Sequence, residues 1–148
     1  MTVQAQITIN GSINQVWSVI TNISNAATII SGIEKVELLN EPASGLLGLK
    51  WRETRLYFGK PAAIDKGIIE VVENNYYKTK AELDGFIFLT TLAITTNSSQ
   101  VILTSTHETQ AQGIMAKIKS LPMLFFKGIL KKAILQDLTD YKNAIEQG

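Results

Sequence analysis

The chain has 148 residues, with 14 Lys and Arg against 13 Asp and Glu, for a formal net charge of +1. That length suits one domain over residues 1–148, and the near-neutral balance lacks the strongly basic field that nucleic-acid binding uses, so no nucleic-acid partner is expected. Cysteine is absent, which excludes disulfides, thiolate chemistry and cysteine-ligated zinc or iron–sulfur clusters.

Along the chain, Val3, Ala5, Ile7 and Ile9 alternate with polar residues and predict a first strand over Val3–Ile9. Asn10-Gly11 stops it. Ser12 and Gln15 then have the spacing of a capping box, and Ile13, Val16, Trp17 and Ile20 share one face of the helix that follows. A second short helix is expected over Asn25–Ser31. From Ile33 the pattern is that of strands: Ile33–Asn40, Leu49–Phe58, Ile64–Glu73, Tyr76–Leu83, Phe86–Thr96 and Gln100–Gln110. Between them lie a loop at Glu41 to Gly45 and turns at Gly59-Lys60-Pro61, Asn74-Asn75, Asp84-Gly85 and Asn97-Ser98-Ser99. Asp-Gly and Asn-Asn suit tight turns with positive φ, and short turns make consecutive strands antiparallel. Gly113–Gln147 reads as helix, with apolar residues at Ile114, Ile118, Leu121, Phe125 and Ile129, then Ala133, Leu138, Tyr141 and Ile145. Pro122 should kink it or divide a leading turn from the main helix. The fold class is therefore α+β. A curved antiparallel sheet of seven strands, in the order β-α-α-β-β-β-β-β-β-α, needs its apolar face covered, and the C-terminal helix is the element long enough to do so.

The chain is 45% apolar and 18% charged, against about 25% charged in a typical domain. A lined cavity would absorb the surplus apolar side chains. So would an oligomer interface, a homodimer in the simplest case. Met1 to Gln6 shows no basic stretch ahead of an apolar run, and the longest nearly apolar run, Phe86 to Ile94, falls far short of the roughly 18 residues of a membrane span. A cytoplasmic location is expected. The Asn-x-Ser sequons at Asn10, Asn22 and Asn97 are then chance occurrences.

Several residues stand out as candidates for binding or chemistry. Period two puts Trp51, Glu53, Arg55 and Tyr57 on one face of their strand, opposite Lys50, Arg52, Thr54 and Leu56. The first set has the aromatics and is assigned inward. Glu53 and Arg55 would orient a ligand's carbonyl or hydroxyl; alternatively they form a structural ion pair at the pocket edge. His107 groups with Val101, Leu103 and Ser105, hence inward, as a general acid or base or as a hydrogen-bonded wall residue. Tyr77 shares an inward face with Thr79, Ala81 and Leu83, its hydroxyl serving as a donor. Phe86, Phe88, Leu92 and Ile94 compete for the inside with Ile87, Leu89 and Ala93, and the pattern leaves that open. Met115, Met123 and Phe126 surround Pro122, where adaptable methionines suit a pocket entrance or ordinary helix–sheet packing. Lys117, Lys119, Lys127, Lys131 and Lys132 fall in a stretch without acidic residues, which would touch an anionic membrane peripherally or form a solvated helix face. No glycine-rich phosphate loop or Gly-x-Ser-x-Gly elbow occurs, and one histidine without cysteine gives no transition-metal set; neither cofactor nor metal is expected.

Taken in order, these elements resemble the START/Bet v 1-like (SRPBCC) superfamily, or helix-grip fold, and its polyketide cyclase/dehydrase-like branch in particular. Val16 to Asn22 is similar to the family's first-helix signature. Ile30 to Glu37 resembles its second-strand start, and Gly45 through Trp51 to Arg55 its glycine loop and third strand. Lys131, Lys132, Ala133, Gln136, Asp137, Leu138 and Lys142 resemble its final helix. Ala26-Ala27-Thr28-Ile29 departs from it, since members often place an aromatic and a proline there. The resemblance implies a hollow core that binds a lipid, polyketide, quinone or similar molecule. The same family includes cyclases and dehydratases, for which His107 or Glu53 would move the proton.

Overall fold

In the computed structural model, which describes residues 1–57, 59–112 and 127–148, the elements run β1 (Thr2–Ile9), α1 (Ile13–Ile20), a turn of 3-10 helix (Ile23–Asn25), α2 (Ala26–Ile29), β2 (Ile33–Asn40), β3 (Lys50–Tyr57), β4 (Lys60–Val72), β5 (Tyr76–Leu83), β6 (Phe86–Asn97), β7 (Gln100–Ala111) and α3 (Lys127–Gln147). The strands form one curved antiparallel sheet in the order β1-β7-β6-β5-β4-β3-β2. This is the predicted element order, and α3 lies against the apolar face.

Local chemistry sets the joints. The Ser12 side chain accepts from Gln15 N at 3.1 Å and the Gln15 side chain accepts from Ser12 N at 2.8 Å, which completes the capping box of α1. Ser12→Ala should remove about 1 kcal/mol, read as a melting temperature lower by about 2–4 °C; an unchanged melting curve would show that packing alone holds this helix. At Asp84-Gly85 both residues have positive φ, 51° and 81°, as a tight hairpin turn requires.

Three expectations are corrected. The second short helix is present but narrower than Asn25–Ser31, covering Ala26–Ile29 after a 3-10 turn at Ile23–Asn25. Strand β4 starts at Lys60, not Ile64, so Lys60 and Pro61 are strand rather than turn, and Tyr57 pairs with Lys60. Proline is accommodated because β4 pairs with β5 only from Lys66 onward, leaving Pro61 without a neighbour on that side. On α3 the buried stripe is Ile134, Leu138, Tyr141 and Ile145; Ala133 and Ile129 are exposed. Starting the stripe at Ile134 keeps its spacings closer to the helical period than starting it at Ala133. The expected helical stretch 113–126 lies outside the described residues.

The core is dense at one end and open at the other. Ile9, Val16, Ile20, Leu103 and Leu138 are fully enclosed where α1, β1, β7 and the C-terminal half of α3 meet. Polar ties fasten that half: Lys142 Nζ donates to Thr8 O at 2.7 Å, Asn10 N to Glu146 Oε2 at 2.8 Å, and Ser31 N to Asp140 Oδ2 at 2.9 Å. The first turns of α3, from Lys127 to Ala133, are mostly exposed, and among the described residues Leu130, Ala133 and Ile134 border a cavity there.

Candidate functional site

Two adjoining chambers lie between the sheet and α3. The inner one has a volume of about 70 Å³ and the outer about 420 Å³. The outer chamber is walled chiefly by apolar side chains, among them Ile64, Ala81, Phe88, Leu89, Leu130 and Ile134. Arg55, Lys66, Thr79, Thr90, His107 and Asp137 line both chambers and form a polar layer between them.

Strand alternation builds that layer. Glu53, 4% exposed, sits between Trp51 and Arg55 on the inner face of β3. Its carboxylate accepts from Arg55 Nε at 2.7 Å, Lys66 Nζ at 2.9 Å and Trp51 Nε1 at 3.4 Å. Arg55 reaches across to α3, donating Nη1 to Asp137 Oδ1 at 3.2 Å and Nη2 to Asp137 Oδ2 at 2.8 Å. Burial pushes the Glu53 carboxyl up, but the Lys66 and Arg55 cations outweigh it and hold it at about 2. Burial likewise opposes the Arg55 charge, and Asp137 and Glu53 overcome it, so its pKa lies above the ordinary value.

His107 faces two hydroxyls, with Nε2 2.9 Å from Ser105 Oγ and Nδ1 3.5 Å from Thr90 Oγ1. Burial, then the Lys66 and Arg55 cations, lower the imidazole to about 4 against the opposing pull of Glu53. Tyr77 is buried, but its hydroxyl is not open to a guest as the sequence led one to expect: it donates to Ile20 O at 2.8 Å. Burial, then Tyr141 and Glu53, raise its pKa well above the ordinary value.

The candidates thus divide. Trp51, Glu53 and Tyr77 line the inner chamber, Arg55 and His107 line both, and Phe88 lines the outer one. On β6 the buried side chains Phe86, Leu92 and Ile94 mark the inward face, which also carries Phe88 and Thr90 into the chambers, while Leu89 of the alternate face borders the outer chamber as well. Met115, Met123 and Phe126 lie outside the described residues, as does the side chain of Tyr57. Sequence reasoning passed over Lys66 and Asp137. Lysines 127, 131 and 132 are exposed at the start of α3; Lys117 and Lys119 are not among the described residues. Among the described residues, no three His, Asp or Glu side chains gather as a metal site, and no helix is long and apolar enough to cross a membrane.

A curved seven-stranded antiparallel sheet wrapped on a long C-terminal helix is the fold of the START/Bet v 1-like superfamily. A START superfamily protein from Mycobacterium smegmatis superposes with a TM-score of 0.81 at 13% identity, over 99% of this chain and 97% of that one. The Zhui aromatase/cyclase from Streptomyces sp. R1128 superposes with a TM-score of 0.77 at 18% identity, over 99% and 94%. A truncated norcoclaurine synthase from Thalictrum flavum gives 0.72 at 15%, over 98% and 92%. No protein-family profile matches the sequence, and no curated protein matches it.

Proposed function

We propose that residues 1–148 act as one cytoplasmic binding domain that carries an apolar small molecule, a lipid, polyketide, quinone or similar, between sheet and helix. The outer chamber supports this: at about 420 Å³ it falls within the roughly 300–1,000 Å³ of ligand pockets, and its walls are mostly apolar, with six polar or charged side chains shared with the inner chamber and Glu108 and Thr109 elsewhere on the wall. A guest burying roughly 300 Å² of apolar surface would gain about 7 kcal/mol before the costs of binding.

The alternative is a cyclase or dehydratase with His107 or Glu53 as acid or base. The electrostatics favour the carrier. At neutral pH, Glu53 near 2 stays ionised between two cations, and His107 near 4 is neutral, while the Lys66 and Arg55 cations destabilise the imidazolium a base would have to become.

The test fills the chamber. Ala81 is buried on β5 opposite Phe88. Ala81→Trp should weaken binding of the neutral dye Nile red at least about tenfold while circular dichroism stays native, and native mass spectrometry of the wild type should show a co-purifying small molecule that the variant lacks. Unchanged dye binding in a folded variant would refute the reading. Turnover of a polyketide-like substrate that His107→Ala abolishes without loss of affinity would favour the enzyme instead.

A further inference from the structure

The polar layer is balanced in charge but not in hydrogen bonding. Glu53 and Asp137 offset Arg55 and Lys66. Glu53 is surrounded by three donors, and both oxygens of Asp137 rest on Arg55. Lys66 differs. It donates one N–H, to Glu53, among the described residues, and an ammonium carries three. It lines both chambers, so the remaining donors lie at the inner end of the apolar space. The hydroxyls of Thr79 and Thr90 line the same layer, and Nδ1 of His107 has only a long 3.5 Å contact.

We propose that Lys66 is the polar anchor of the bound molecule, and that the molecule ends inward in an uncharged carbonyl oxygen with its apolar body in the outer chamber. This rests on the binding reading and specifies its ligand class. An uncharged acceptor leaves the buried charges balanced. A carboxylate would add a third anion to a layer where both existing ones are already paired, and it would lose much of its own hydration on entering. A cationic end would meet the ammonium of Lys66 head on. A carbonyl accepts from that ammonium without either cost, and a hydrogen bond to a charged donor corresponds to roughly tenfold or more in affinity.

Three probes of equal chain length separate the terms: methyl octyl ketone, decanoate and decane, each competing with Nile red near neutral pH. The wild type should bind the ketone at least about tenfold more tightly than either of the others. Lys66→Met should remove the ketone's advantage over decane while leaving decane within about twofold of its wild-type affinity, and Lys66→Arg should restore most of it. Decanoate binding more tightly than the ketone, or an advantage that survives Lys66→Met, would overturn the proposal. The ranking on the wild type decides even if the methionine variant does not fold. Binding of all three with no ranking would sink the anchor and leave the carrier standing; binding of none would sink the carrier itself.

Discussion

Arg55→Met should lower the melting temperature by about 10 °C, the largest effect expected of a single substitution in this protein. Arg55 joins the sheet to the helix that covers it, binding Glu53 on its own strand and both oxygens of Asp137 across the cavity. Its side chain is 20% exposed, Glu53 6% and Asp137 22%. Methionine replaces the bulk and leaves Asp137 without its cation, while Glu53 keeps only Lys66. Removing one partner of a buried ion pair costs about 3–5 kcal/mol, trimmed here because Asp137 is partly wet, and each kcal/mol moves a domain of this size by about 2–4 °C. The pair Arg55→Met, Asp137→Leu should recover most of the loss, since replacing both charges with apolar groups leaves no stranded anion on α3. A double variant as unstable as the single one would mean that Arg55 acts through packing. The same bridge bears on function: it joins the middle of α3 to the sheet beside the outer chamber, so losing it should also loosen the chamber wall.

How far the sequence revealed this site follows from how each residue is displayed. Strand β3 was legible because its two faces differ in kind. Trp51 and Glu53 are buried while Lys50 and Arg52 are exposed, and period two carries that contrast on to Arg55. His107 was placed the same way, by the enclosed Val101, Leu103 and Ser105 that precede it. Lys66 carried a usable signal: it stands between Ile64 and Ile68 on one face of β4, a lysine among apolar residues. Its contact with Glu53 did not show, because it reaches diagonally; Lys66 pairs with Trp51, and Glu53 with Ile64. Asp137 was hidden more deeply. It flanks Leu138 at the margin of the helical stripe, where an acidic residue reads as solvent-facing until the sheet opposite it is known. Tyr77 shows the converse failure. Its inward face was correct, but the acceptor that occupies its hydroxyl is the carbonyl of Ile20, 57 residues away in the chain, and no period or spacing encodes that meeting.

Acid should destabilise the protein in two stages, and the first belongs to His107. Its imidazole titrates at about 4 in the fold against an ordinary 6.5. Between those values the unfolded chain binds a proton that the native state refuses, so stability rises with pH there, is complete above about 6.5, and is lost as pH falls toward 4. The loss is on the order of 3 kcal/mol, somewhat less where the chambers admit water. Glu53 acts in a lower window. Held at about 2 against an ordinary 4.5, it contributes stability that is complete above about 4.5 and disappears as pH falls through 2, again on the order of 3 kcal/mol. Urea unfolding at a series of pH values should therefore show stability falling from about pH 6.5 downward. His107→Gln, which keeps a polar side chain between Ser105 and Thr90 but has no proton to gain, should flatten the curve between pH 6.5 and 4 and leave the lower limb intact. Superimposable curves for the variant and the wild type would mean that the imidazole takes up its proton in the folded state as freely as in the unfolded chain. The burial of the imidazole and the cationic field beside it, on which the case against proton transfer by His107 depends, would then have to be abandoned.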